Sequence, residues 1–189
     1  MSVADNFQHA LEKLADETAS TARRITNRRN ISKADKTIRL AGLINRANAQ
    51  AVALADAFTS RQLENLTGRA APAKGILPVD HSARLLDATR TILADPDPLE
   101  RVERLARSEP LQNAQSTVTE ALRTPIETRK GYVGWVRQLN AGACPQCQRW
   151  ARNGRVWPAD HGMGRHISCA CIQRVVISPT KPKPVRTRR

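Results

Sequence analysis

Four cysteines and a histidine, confined to Cys144-Pro-Gln-Cys147 and His166-Ile-Ser-Cys169-Ala-Cys171, constrain this chain more than any other feature. A Cys-x-x-Cys pair followed about twenty residues later by a His/Cys group is a zinc-ligand pattern, and a tetrahedral zinc needs only four ligands. The first pair lets two sulfurs meet one ion from a tight turn. His166-x-x-Cys169 presents two more ligands at similar spacing, with Cys171 competing with Cys169 and His161 as a weaker sixth candidate. The surrounding segment, residues 131–177, is too short to be stable on apolar burial alone. A structural zinc supplies about 10–16 kcal/mol of apparent folding free energy to a module of this kind. The expected cofactor is therefore a structural zinc.

Other uses of the cysteines fit less well. The N-terminus lacks a signal peptide's basic start and apolar core, and no apolar run approaches the roughly twenty residues of a membrane span. That predicts synthesis in a reducing cytosol, where clustered cysteines bind metal more often than they pair. A redox Cys-x-x-Cys needs a thioredoxin-like βαβ setting, and a catalytic zinc needs an open coordination position.

The rest of the chain is built differently. Apolar residues recur three or four apart through residues 3–28 (Phe7, Leu11, Leu14, Ala22, Ile25), which predicts a helix. Arg23, Arg24, Arg28 and Arg29 complement its C-terminal dipole and read as a solvated helix end. Ser32 and Asp35 form a capping-box pattern for a second helix ending at Gly68. Its expected apolar face includes Ile38, Leu40, Leu43, Ile44, Ala47, Ala51, Leu54 and Phe58. Asp80 opens a third helix over 81–94. Asp97 and Pro98 start a fourth over 98–108, with Glu100/Arg104 and Glu103/Arg107 as i,i+4 pairs. Pro110 opens a fifth that reaches about residue 130, broken near Pro125. From Gly131 the texture turns to β: Tyr132–Leu139, Arg155-Val-Trp157 and 171–177 read as strands, and 145–153 as a short helix. The fold class is mainly α. A helical N-terminal body (1–130) precedes a small C-terminal α+β zinc-stapled module (131–177) and a disordered basic tail (178–189).

Charge points to the partner. Lys and Arg total 31 against 17 acids, a net +14, and such an excess implies a polyanionic neighbour. The tail holds Lys181, Lys183, Arg186, Arg188 and Arg189, the candidate phosphate contacts, and has too little apolar content to build a core. No helix-turn-helix, finger helix or aromatic-studded sheet suggests base readout, so double-stranded DNA would be bound by non-specific electrostatics.

The order Cys144-Pro-Gln-Cys147, Trp150, Gly154-Arg-Val-Trp157-Pro-Ala-Asp160-His161, His166-x-x-Cys169-x-Cys171 resembles the C-terminal motif of the MuF-like minor head proteins of tailed bacteriophages, in the form found in phages of actinobacteria. The resemblance covers about residues 131–176. It departs from the commonest form in having Ile167-Ser168 where Pro-Asn is frequent and Ala170 where Arg is frequent. The resemblance implies a minor capsid protein active in head morphogenesis, inside the virion near the portal and made in the host bacterial cytoplasm. Its partners would be the portal protein, major capsid or scaffold protein, and phage DNA, with no membrane. It implies no enzymatic activity. Two enzymatic alternatives stand beside it. An HNH-type metal-dependent nuclease would use Asp160-His161 after the Cys-x-x-Cys, but the seven residues between His161 and Cys169 hold no Asn. A small capsid maturation protease would need a nucleophile and base, and His81-Ser82 are adjacent, a poor geometry for a dyad.

Overall fold

The computed structural model describes residues 2–123, 127–128 and 131–184. Helix α1 (Val3–Asn27) starts at a full capping box: the Ser2 hydroxyl accepts from the Asp5 N–H, and the Asp5 carboxylate accepts from the Ser2 N–H. Helix α2 (Lys33–Thr67) is capped at Ser32, whose hydroxyl accepts from Asp35 N–H at 3.0 Å and donates to the Asp35 carboxylate. It stops at Gly68, where φ of +69° supplies the left-handed cap. Leu40, Ile44, Ala47, Ala51 and Phe58 are buried as the periodicity predicts, but Ile38 is 62% exposed and Leu54 37%. Those two lie off the stripe that α1, α3 and α4 cover.

Helix α3 (Ser82–Ala94) begins one residue later than expected, and Asp80 accepts the Ser82 N–H at 2.9 Å. Leu85, Thr89, Ile92 and Leu93 are its buried face. The expected fourth and fifth helices are one, α4 (Leu99–Leu122), running through Pro110. Proline inside a helix removes one hydrogen bond and crowds the preceding turn, at a cost of about 3 kcal/mol. Buried Val102, Ala106, Leu111, Ala114 and Val118 on both sides of it offset that cost. The end at Leu122 also corrects the expected extension to residue 130, since Glu127–Thr128 form strand β1. Pro125 lies outside the described residues. Of the two expected ion pairs, Arg104–Glu100 is present at 4.0 Å, while Glu103 turns to Arg23 and Arg107 to Asp16, both on α1.

Strand β2 (Gly131–Gln138) is the centre of a small antiparallel sheet. Strand β4 (Ile172–Ser178) pairs with it along its length, from Tyr132↔Ser178 to Gln138↔Ile172. On its other edge lie β1 and the two-residue β3 (Trp157–Pro158). A Cβ at Gly134 would stand 2.5 Å from the Trp157 carbonyl, so only glycine lets β3 approach. Between β2 and β3 run α5 (Pro145–Ala151) and a 3-10 turn at Arg152–Gly154. One buried cluster joins this sheet to the helices. It holds Phe7 and Leu11 of α1, Phe58 of α2, Leu111 and Val118 of α4, and Trp135, Cys147, Cys169 and Ile172. A second cluster, around Ala22, Leu40, Ile44, Leu85 and Val102, fills the other end of the helical body. Among the described residues no helix is long and apolar enough to cross a membrane.

Candidate metal centre

The chain delivers its ligands from two turns. Cys144 is the residue before α5, with Pro145 at the first helical position, where a missing N–H costs nothing. The backbone N–H groups of Cys147 and Gln146 point at the Cys144 sulfur and hold its thiol below the usual range. One helical turn on, Cys147 points inward and is 1% exposed. The second turn is 166–169, closed by a Cys169 N–H to His166 carbonyl bond of 3.2 Å, with Ser168 at φ +59°. A left-handed third residue after an ordinary second one marks a type II turn.

These turns bring the side chains together. His166 Nε2 is 3.3 Å from Cys144 Sγ and 2.9 Å from Cys147 Sγ. Cys147 Sγ is 3.4 Å from Cys169 Sγ. Ligand atoms around a tetrahedral zinc lie about 3.6–3.8 Å apart, so small outward shifts admit the ion. Two groups of three ligand atoms, Cys144/Cys147/His166 and Cys147/Cys169/Cys171, each lie within 4.8 Å, and Cys147 belongs to both. Both are placed closely enough to coordinate a structural zinc. No two cysteines are joined by a disulfide.

The histidine is oriented for the task. Its Nδ1 lies 2.9 Å from the Ile167 carbonyl, which can only accept, so the proton sits on Nδ1 and Nε2 presents its lone pair to the sulfurs. Among the sulfurs, hydrogen bonds from the Cys171 thiol and backbone lower Cys169 to about 5 against the cost of its burial. Burial pushes Cys147 up to about 11. Cys171 is raised by its bond to Cys169 and by burial, and its thiol lies 3.4 Å from the Asn140 side-chain oxygen. Cys144 and Cys169 are thus the two sulfurs whose hydrogen bonds favour the thiolate.

Several residues of the site carry no motif. Arg137 of β2 is 6% exposed; its guanidinium lies 3.7 Å from Cys147 Sγ and 3.8 Å from Cys169 Sγ, donates to the Gly164 carbonyl, and sits over the Trp150 ring. Gln115 of α4 donates to the Cys169 carbonyl at 3.0 Å and the Cys171 carbonyl at 2.8 Å. Gln8 of α1 donates to the Ala170 carbonyl at 3.2 Å. A lone arginine inside an otherwise apolar strand was the available signal for Arg137. Nothing in the sequence marks the glutamines.

His161 belongs to neither ligand group. Its ring stacks on Trp157 at 4.5 Å, and its carbonyl accepts from the Trp135 indole. Burial lowers its pKa. Asp160 is exposed. His81 is the residue before α3, and the Ser82 hydroxyl is taken by Asp80. Of the tail candidates, Lys181 and Lys183 are exposed, while Arg186, Arg188 and Arg189 lie outside the described residues. No family model, curated protein or solved structure matches the chain.

Proposed function

We propose that this chain is a MuF-like minor head protein of a tailed bacteriophage. In this reading it sits inside the virion near the portal, holds DNA by charge, and uses one structural zinc. The observation that carries it is the convergence of the motif's own residues. The Cys144/Cys147 pair and the His166/Cys169 pair, about twenty residues apart in sequence, meet through Cys144–His166, Cys147–His166 and Cys147–Cys169 contacts of 2.9–3.4 Å. The turn at 166–169 adds support, because its left-handed third position is the one an Asn favours, and Pro suits the position before it. Ile167-Ser168 thus keeps the turn that the commoner Pro-Asn would make. Zinc bound here would cross-link α5 to the 166–169 turn, and its chemistry is that of a staple. Four protein ligands fill a tetrahedral shell and leave no position for substrate.

DNA binding draws on the net +14 and on the exposed Lys181 and Lys183 at the head of the basic tail. The decisive experiment is mass spectrometry of particles made by the phage or prophage that encodes the chain, with coexpression and pull-down against the portal protein beside it. Presence in purified heads and capture by the portal are expected. A chain absent from particles and indifferent to the portal would sink the assignment. Incubating the purified protein with duplex DNA and Mg2+ or Mn2+ tests the nuclease alternative. Cleavage by the wild type that is lost in His161→Ala would replace the structural reading with an enzymatic one.

A further inference from the structure

The end of the helical body farthest from the cysteines carries charge that the fold leaves uncompensated. Between residues 18 and 55 the chain has eight lysines and arginines and a single carboxylate, Asp35, a net +7 that is half of the chain's +14. The last turns of α1 and the first turns of α2 gather these cations at one corner, where Arg24, Arg28, Arg29, Lys33, Arg39 and Arg46 are exposed. Asp35 is engaged as part of the α2 cap, accepting from the Ser32 hydroxyl at 2.7 Å. Arg23 reaches Glu103, and Lys36 donates to the Thr26 carbonyl, closing the turn.

Arg28, Arg29, Lys33 and Arg39 make no ion pair or side-chain hydrogen bond with any described residue. Elsewhere in the body acids stand beside the cations, as in Arg84–Glu109, Arg101–Asp95 and Arg123–Glu120. The excess is therefore local. Like charges held within a Debye length of about 8–10 Å repel and work against folding. An anionic partner reverses the sign of that term.

The surface has a shape as well as a charge. Gly42 lies on the same face of α2 as Arg39 and Arg46, three residues after one and four before the other. A Cβ there would meet nothing nearer than the Arg46 guanidinium at 3.5 Å, so internal packing does not demand glycine. A mid-helix glycine costs about 1 kcal/mol relative to alanine, and its bare backbone admits close approach from outside. From Lys33 to Arg46 the helix advances about 20 Å, the length of about six base pairs at 3.4 Å each. The corner is also remote from the metal centre. Gln8 touches Ala170, and α1 continues for roughly 30 Å before Arg28.

We propose that the α1–α2 corner is a second, sequence-independent binding surface for the phosphate backbone of duplex DNA, separate from the C-terminal tail. It rests on the DNA-binding part of the functional reading above. A bilayer is the other polyanion of this size, but Ile38 is the one large apolar side chain exposed in these turns, too little for interfacial insertion.

The test uses the full chain and a random-sequence duplex of about two helical turns, with anisotropy titrations across a salt series. Four proteins are compared: wild type, Arg28→Gln/Arg29→Gln/Lys33→Gln, a tail variant with Lys181, Lys183, Arg186, Arg188 and Arg189 changed to Gln, and the combination. Each phosphate contact contributes about 0.9 to the slope of log K against log salt. The corner variant is expected to bind more weakly, with a slope shallower by about 2–3, and the tail variant to lose slope independently. Unchanged zinc content and circular dichroism show that the exposed substitutions leave the fold intact. A corner variant with the wild-type slope overturns the proposal and leaves binding to the tail and module. A wild type that binds no duplex overturns the DNA reading itself. Corner-dependent binding to phosphatidylglycerol vesicles without duplex binding overturns the proposal in favour of lipid.

Discussion

Arg137 carries a full positive charge into the centre of the sheet, and among the described residues no carboxylate meets it. A buried charge without a partner costs several kcal/mol, and the two sulfurs beside it balance that charge only as thiolate, since a neutral thiol is a weak acceptor. Thiolates solve the problem. Zinc with three thiolates and one imidazole carries a net −1, and Arg137 brings the centre to neutrality. Four thiolates would leave it negative, and two thiolates with two imidazoles would leave it positive. The charge balance is the same with Cys169 or Cys171 as the third thiolate. The expected ligand is Cys169, because hydrogen bonds lower its thiol, whereas the Cys171 thiol is held up by its neighbours and faces Asn140. Arg137→Met, similar in bulk but uncharged, is expected to weaken zinc by about ten- to a hundred-fold in chelator competition, the usual effect of losing an outer-shell partner. Arg137→Lys should recover part of the loss. If Arg137→Met binds zinc as tightly as wild type, the guanidinium is packing alone. A Co2+-loaded Cys171→Ala protein that retains the wild-type thiolate-to-metal absorption would confirm that Cys171 stands outside the shell.

At the scale of elements, the loop between α2 and α3 shows how much order one side chain can impose. Residues 69–81 have almost no buried surface, and Leu77 and Val79 are 84% and 65% exposed. Yet the buried Asp56 carboxylate of α2 accepts three successive backbone N–H groups, from Lys74 at 3.0 Å, Gly75 at 2.8 Å and Ile76 at 3.1 Å. Gly75, at φ +68°, bends the chain so that these donors converge, as in an anion-binding nest. Asp56→Ala removes the acceptor and should cost about 1–3 kcal/mol. Hydrogen exchange at the three amides would rise far more than exchange in α2 itself. Protection that stays at wild-type levels would show that the loop holds itself.

The sequence reveals these elements unevenly, for a physical reason. The candidate zinc ligands were legible because Cys-x-x-Cys and His-x-x-Cys encode their geometry within one turn each. The α3 face was legible because its burial follows the helical period, and β2 and β4 because β-branched and aromatic residues mark them, although β2 is buried at five consecutive positions and shows no alternation. Asp56, Gln8 and Gln115 were not, because each acts on residues 18 or more positions away. Pro110 misled for the same reason: a local rule against proline was overridden by tertiary packing of α4.

For the whole molecule, the continuity of the core decides what the metal supports. The sequence alone divides the chain at residue 130, but the buried cluster crosses that boundary. Polar bonds cross it too: Gln115 and Gln8 hold the 169–171 backbone, Gln62 accepts from the Val175 N–H at 3.2 Å, Gln173 donates to Thr119 at 2.8 Å, and Ser168 donates to the Ser108 hydroxyl at 3.0 Å. When the 166–171 turn loosens, these buried amides lose their partners, and the apolar faces of α1, α2 and α4 around Phe7, Phe58 and Leu111 lose their cover. Zinc removal should therefore reach the helices. In thermal unfolding followed at 222 nm, where the helices dominate, the zinc-loaded protein is expected to melt in one transition. A strong chelator should move that transition down by well over ten degrees, since even a fraction of the roughly 10–16 kcal/mol of a structural zinc is large beside ordinary domain stability. Tryptophan fluorescence, which reports only on the sheet and its surroundings because all three tryptophans lie there, should follow the same curve. If the fluorescence transition moves with chelator while the helical one stays in place, the body is an independent folding unit. The glutamine bridges would then be contacts of docking, and the second cluster around Ile44, Leu85 and Val102 would suffice to hold the helices together.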